Sequence, residues 1–337
     1  MAALSAQLQL AQQLEREGRR AEAAALVREA AESGDPHAQF LFGVRQLGSA
    51  ANERASALEM ISKAAKQGHA QALHLWAVMA AAGFGQRQDW RAALGYLAQA
   101  ADRGDRRAQA QIALLGPPDA FDLAAWLTPP TPRMAFATPR VGVIDHFLPT
   151  QVCDWLMAVG RPGLKRALIL DPQTGERSSV QGRTNSGAYL GLLQADVVVR
   201  LVKARIAAVL DRPVSHQEDA NILHYAPGQV FDEHYDFQDP GVPGHAKEIA
   251  AVGQRVATFL IYLNQGFDGG ETNFPLLEWS YKGSKGDAVF FWNVSAQGAV
   301  ERQLLHAGRA PTRGEKWLFS QWVRDRPIEG VDLPSIG

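Results

Sequence analysis

The hydrophobic pattern of the chain changes near residue 115. Up to that point, stretches rich in Ala, Leu, Gln, Glu and Arg with few prolines predict helices, and the helices repeat. Gly34-Asp35-Pro36-His37-Ala38-Gln39 returns as Gly68-His69-Ala70-Gln71-Ala72-Leu73 and as Gly104-Asp105-Arg106-Arg107-Ala108-Gln109, the glycines lying 34 and 36 residues apart. An alanine pair precedes each glycine at the same offset: Ala30-Ala31, Ala64-Ala65 and Ala100-Ala101. Small side chains let two helices approach closely, and a glycine just past a helix end takes the left-handed conformation of a C-terminal cap. Gly83-Phe84-Gly85 marks a return loop, with Asp89 placed to cap a helix that begins near Trp90. Hairpins of this kind bury their apolar faces only by stacking, so the period predicts a helical solenoid.

From Leu115 to Arg140 the prolines of Gly116-Pro117-Pro118, Pro129-Pro130, Pro132 and Pro139 cannot continue a helix, leaving room for a short one near Phe121–Leu127. Val141–Asp145 reads as a strand, and Gln151–Val159 as a helix with Cys153, Leu156 and Met157 facing inward. Beyond about residue 215 the runs Ala220–Tyr225, Val256–Leu263, Asp287–Trp292 and Lys316–Val323 are β-branched or aromatic and bounded by Gly, Pro and Asp. They predict strands of a sandwich or barrel. The segment from Phe237 to Gln254, punctuated by Pro240, Gly241, Pro243, Gly244 and Gly253, is too irregular for a strand and is expected to be a mobile loop. The expected organisation is a helical-repeat module over 1–115, a Pro-rich linker over 116–139, a β-rich domain over 140–326 and a tail over 327–337.

A length of 337 residues suits two domains, and 46% apolar with 20% charged residues excludes a disordered or collagen-like chain. A net charge of −1 gives no support to nucleic-acid binding or a polybasic membrane anchor. The lone Cys153 removes the disulfide-stapled class, and glutamines near the N-terminus break up a signal-peptide core. No stretch reaches the roughly 18 apolar residues of a membrane helix. A cytoplasmic location is expected, with no nucleic-acid or membrane partner.

Nine histidines are present. His37, His69 and His74 lie in the repeats, where packing explains them, and His146, His216, His224 and His245 have no partner at ligand spacing. His234-Tyr235-Asp236 differs. Alternate residues of an extended segment share a face, so an imidazole and a carboxylate point the same way. That is two-thirds of the 2-His-1-carboxylate triad of non-haem Fe(II) oxygenases, and His306, with 69 residues between it and Asp236, is the candidate third ligand. A structural or zinc site without turnover is the alternative. Ten residues after His306, the run Lys316–Trp322 places Lys316, Ser320 and Trp322 on one face. A buried cation there would meet the distal carboxylate of an extended co-substrate. Thr258 and Tyr262 likewise share a face.

Several ordered segments carry a family resemblance. They are Arg183-Thr184-Asn185-Ser186-Gly187, Tyr225-Ala226-Pro227-Gly228, His234-Tyr235-Asp236, Gln254–Leu263, Gly269-Gly270-Glu271-Thr272-Asn273-Phe274-Pro275, Gly286–Trp292, His306-Ala307-Gly308 and Gly314-Glu315-Lys316-Trp317. Over about 140–325 the sequence resembles the 2-oxoglutarate/Fe(II) dioxygenases, prolyl 4-hydroxylase type. Over about 20–115 it resembles Sel-one-like, tetratricopeptide-type repeats. The resemblance implies an all-α repeat solenoid followed by a double-stranded β-helix, or jelly roll, with flanking helices. It implies that His234, Asp236 and His306 hold Fe(II), that Lys316 pairs with the far carboxylate of 2-oxoglutarate, and that Tyr225 and Tyr262 add hydrogen bonds. Arg183, Arg255 and Trp322 would line the substrate side; core packing for the tyrosines and Trp322, and scaffold ion pairs for the arginines, stay open. Phe231 departs from the family pattern, which often has tyrosine three residues before the first ligand. The implied reaction couples O2-driven decarboxylation of 2-oxoglutarate to succinate with hydroxylation of a prolyl residue in a protein or peptide, with ascorbate as reductant. Halogenating relatives lack the carboxylate, so Asp236 implies hydroxylation. The repeats imply a protein-binding surface. The rivals are hydroxylation of a free amino acid or small metabolite, and a non-catalytic metal-binding scaffold with a repeat-mediated partner site.

Overall fold

The computed structural model describes residues 5–47, 51–167, 169–170, 177–178 and 182–328. The chain forms two compact units, one of Met1–Asp122 with Ala195–Leu201, the other of Leu123–Gln194 with Val202–Val331.

The first unit carries helices α1 (Ala6–Arg16), α2 (Arg20–Glu32), α3 (Pro36–Gln46), α4 (Ala51–Lys66), α5 (Ala70–Ala82), α6 (Trp90–Asp102) and α7 (Arg106–Leu115), each packed on the next. The repeated motif closes three equivalent helix ends. Gly34, Gly68 and Gly104 sit at φ of 97°, 79° and 86°, in the left-handed region. That turn directs the N–H of the next residue, Asp35, His69 or Asp105, onto the carbonyl of the first alanine of the preceding pair, at 3.0 Å in all three cases. The Asp35 and Asp105 side chains then cap α3 and α7, while in the middle repeat His69 Nδ1 accepts the Ala72 N–H. The glutamine of the motif holds the hairpin shut: Gln39 and Gln109 donate to the carbonyls of Ala31 and Ala101 at 3.2 and 3.0 Å. Gly83 and Asp89 end and start helices as expected.

The second unit opens with α8 (Leu123–Trp126), β1 (Arg133–Phe136), β2 (Val141–Ile144) and α9 (Thr150–Gly160). Short strands β3 (Lys165–Arg166), β4 (Ile169–Leu170) and β5 (Arg177–Ser178) precede β6 (Ser186–Leu190). Helix α10 (Val197–Leu210), whose residues up to Leu201 belong to the first unit, then leads to β7 (Ala220–Tyr225), β8 (Phe231–His234), α11 (Pro243–Val252) and β9 (Arg255–Tyr262). The remaining strands are β10 (Asp268–Gly269), β11 (Thr272–Phe274), β12 (Trp279–Tyr281), β13 (Ala288–Trp292), β14 (His306–Gly308), β15 (Pro311–Arg313) and β16 (Lys316–Arg324).

Eight antiparallel strands, in the order β1-β2-β13-β9-β16-β7-β6-β3, form a large sheet, and β12-β11-β14-β8 form a smaller one. Their inner faces share a core in which Tyr225, Leu260, Phe291 and Leu318 of the large sheet meet Phe274 and Trp279 of the small one. The result is a jelly-roll sandwich with open edges rather than a closed barrel. On the outer face of the large sheet α9 comes close enough that a Cβ on Gly160 would lie 2.7 Å from Ile222, and Cys153 of the same helix is fully buried.

One element forms where the sequence pattern predicts none, and another differs from the expected loop. Val197-Val198-Val199 opens α10, where Asp196 accepts the Val199 N–H; burial outweighs the strand preference of the β-branched run. The stretch expected as loop contains α11, because Pro243 sits in the first turn, where its missing N–H costs nothing, and Gly253 closes the end at φ 86°. No helix among the described residues is long and apolar enough to cross a membrane.

Candidate metal and co-substrate site

The small sheet brings the metal candidates together by register. His306 opens β14 and stands opposite His234, which ends β8. Asp236 lies two residues on, and ligand atoms from all three fall within 4.8 Å of one another. His234 Nε2 is 3.7 Å from Asp236 Oδ1, and His306 Nε2 is 3.4 Å from Oδ2.

Backbone carbonyls set the imidazole tautomers. His234 Nδ1 is 2.7 Å from the Asp232 carbonyl and His306 Nδ1 is 3.0 Å from that of Leu304. A carbonyl only accepts, so each Nδ1 carries the proton and each Nε2 offers its lone pair toward the common point. Burial, reinforced by His306, pushes His234 down to about 3, so it is neutral at physiological pH. Burial alone would raise the Asp236 carboxyl, but His306, His234 and the Thr258 hydroxyl outweigh it and hold the group well below the usual carboxylate range. Two imidazoles with Nε2 directed at a common point and one carboxylate on one face form a donor set suited to a divalent iron ion.

The carboxylate is itself braced. Thr258 Oγ1 donates to Asp236 Oδ2 at 2.7 Å and accepts from Asn293 Nδ2 at 3.0 Å. Alternation along the strand is enough to put Thr258 on the same face as Tyr262. Asn293, one residue past β13, carries no sequence signal that would single it out.

Lys316 begins β16 opposite Tyr225 of β7 and has no solvent exposure. Its Nζ has no hydrogen-bond partner among the described residues and lies 4.9 and 5.7 Å from the ring centroids of Tyr225 and Tyr262. Burial pushes it down to about 7, against a weaker opposing pull from Glu271. An unpartnered buried ammonium is costly, and a bound carboxylate would satisfy it.

One cavity is lined by Arg183, Tyr225, His234, Asp236, His306, Lys316 and Trp322, with Phe231, Asn221, Thr272 and Ser320 completing much of its wall. Tyr262 and Arg255 do not line it. The Tyr262 hydroxyl donates to the Tyr281 carbonyl at 2.8 Å and lies 2.9 Å from Thr272 Oγ1, and it is Thr272 that reaches the cavity in its place. Arg255 forms a two-point pair with Glu218 at 2.7 and 3.0 Å and stacks its guanidinium 3.7 Å from the Trp322 ring. Burial alone would raise the Glu218 carboxyl, but Arg255 and Arg324 outweigh it and hold the group below its ordinary value.

The family model of the 2OG-Fe(II) oxygenase superfamily matches residues 220–324, the stretch that carries all three metal candidates and Lys316. Prolyl 4-hydroxylase 1 of Arabidopsis thaliana is 31% identical over 209 residues, covering 58% of this chain and 72% of that protein. Among solved structures, the viral collagen prolyl hydroxylase of Paramecium Bursaria Chlorella virus-1, in its 2OG complex, is 27% identical over 55% of this chain and 95% of its own, with a TM-score of 0.42. A Sel1 repeat protein from Oxalobacter formigenes is 29% identical over 32% of this chain and 47% of its own, with a TM-score of 0.29.

Proposed function

The chain belongs to the prolyl 4-hydroxylase group of the 2OG-Fe(II) oxygenase superfamily, and from that membership we infer that it hydroxylates prolyl residues of a protein or peptide. The observation that carries the inference is the meeting, in one cavity, of a 2-His-1-carboxylate triad with a buried lysine that has no hydrogen-bond partner among the described residues. When bound, Fe(II) with 2-oxoglutarate and O2 supplies oxidative decarboxylation to succinate and CO2 and places one oxygen atom in a substrate C–H bond.

His234 and His306 direct Nε2 atoms and Asp236 one negative charge at the site, so the protein would partly neutralise a divalent ion. Lys316 receives the far carboxylate of 2-oxoglutarate, with Tyr225 beside it and the Thr272 hydroxyl, rather than that of Tyr262, at the cavity wall. Leu223, Leu260 and Leu318 line the same cavity and exclude water from the reacting atoms. Arg183 and Trp322 form the substrate side, and Arg255 acts through Trp322, whose ring it stacks on. The same proposal includes ascorbate as the reductant that keeps iron ferrous, a cytoplasmic location, a helical-repeat module over 1–115 that holds a protein partner, and a hydroxylase domain over 140–326.

The test is to supply Fe(II), 2-oxoglutarate, ascorbate and a panel of proline-containing peptides, and to measure succinate together with peptide mass. Peptide-dependent succinate release with gain of one oxygen atom on proline is the expected result. Stimulation by a free amino acid but by no peptide would replace the proposed substrate with a small molecule.

A further inference from the structure

The two imidazoles of the triad are held unequally. His306 is 5% exposed and packs against the rings of Phe291 and Phe274, with centroids 4.8 and 5.6 Å away. His234 is 20% exposed and lies at the rim of the cavity on the edge strand of the small sheet. Among the described residues its ring makes one hydrogen bond, to the Asp232 carbonyl, which alone does not fix rotation about that axis. Phe231 bears on its face. The two rings stack at 3.5 Å between centroids with 14° between their planes, a far closer and flatter contact than His234 makes with His306.

Phe231 is in turn covered. The Arg183 guanidinium carbon lies 4.2 Å from its ring centroid. A face that already carries an imidazole at 3.5 Å has no room for a guanidinium, so Arg183 occupies the other. Bridge pairing between Arg183 and Phe231, and an Asp232 N–H bond to the Gly182 carbonyl at 2.7 Å, tie the two backbones together behind the stack. Arg183 is only 6% exposed, so the outer layer is itself fixed.

We propose that Phe231, backed by Arg183, is a positioning residue for the metal: a three-layer stack of guanidinium, phenyl and imidazole that fixes the orientation of the more exposed histidine ligand. The proposal rests on the metal-site assignment above. It is also compatible with the departure at position 231, because a ring there performs the stacking whether or not it bears a hydroxyl. The guanidinium is planar and stacks; an ammonium at the same place does not.

The experiment is titration of the metal-free full-length protein with Co(II), followed by its visible ligand-field bands, together with the melting temperature of each metal-free variant. Loss of a partner that orients a metal ligand characteristically weakens binding by about 10- to 100-fold. Phe231→Leu keeps an apolar side chain without a flat face and is expected to weaken Co(II) binding at least about tenfold and to alter the band shape. Phe231→Tyr is expected to keep both near wild type. Arg183→Lys is expected to give a smaller loss, about threefold, in the same direction. Co(II) affinity of Phe231→Leu within about twofold of wild type, with or without a lower melting temperature, would overturn the proposal. Failure of the wild-type protein to bind Co(II) at all would instead overturn the metal-site assignment, so the two failures are distinguishable.

Discussion

Lys316 sets function against stability at a single residue. Its folded-state value of about 7 lies below the 10.5 of a free lysine. Between those values the unfolded chain binds more protons than the folded one, so stability of the ligand-free protein rises with pH across that window and is lowest below it. Replacement by methionine, which fills similar volume without charge, is expected to stabilise the ligand-free protein at pH 7 by on the order of 3–5 kcal/mol while abolishing 2-oxoglutarate binding. Urea denaturation across pH 6 to 10 checks the sign: a wild-type profile that falls with pH, or a destabilised methionine variant, would contradict it. Co-substrate binding above neutrality is expected to draw in about one proton, because the carboxylate favours the ammonium form. Calorimetry in buffers of different ionisation enthalpy measures that uptake directly. At the other end of the cavity Thr258→Val keeps the β-branched shape but removes the hydroxyl between Asn293 and Asp236. Metal affinity should fall by about tenfold with little loss of fold; an unchanged affinity would mean that the carboxylate orients itself.

At the scale of elements, glycine is decisive only where the backbone requires it. Gly104 ends its helix at φ 86° with nothing within 4 Å of the place a methyl group would take, whereas Gly95 lies inside α6 with the same open surroundings. Alanine at 104 therefore meets backbone strain alone and should cost about 1 kcal/mol, while alanine at 95 should stabilise by about 0.5–1 kcal/mol. Thermal unfolding of the two variants should shift in opposite directions, and shifts of the same sign would count against the cap assignment. The motif is local: glycine, cap and alanine carbonyls lie within a dozen residues, which is why the repeats are legible in the sequence. Two other elements are not, because their state depends on more than local signals. Val197-Val198-Val199 is helical because of what buries it, and Pro243 and Gly253 punctuate a helix as readily as a loop.

In the whole molecule, period-two strands and ordered motifs make the jelly roll and its triad legible, since His234, Asp236 and Lys316 are each placed by alternation along a strand or its extension. Cross-strand placement is less visible. Tyr262 and Arg255 stand on the right strand, yet their polar groups are engaged by Tyr281 and Glu218, while Thr272, inside a family segment that does not single it out, and Asn293, just past another, reach the site. Contacts of that kind depend on register between distant segments, which one sequence does not display. The central claim is that one cavity holds Fe(II) on His234, Asp236 and His306 with 2-oxoglutarate reaching back to Lys316. Its most direct test is to mix the protein anaerobically with Fe(II) and 2-oxoglutarate and record the visible charge-transfer band of the chelated complex, in wild type, His234→Ala and Lys316→Ala. A band present in wild type, absent without His234 and weakened without Lys316 is the predicted result. No band in folded, iron-loaded wild-type protein would contradict the dioxygenase site and leave a metal-binding scaffold in its place.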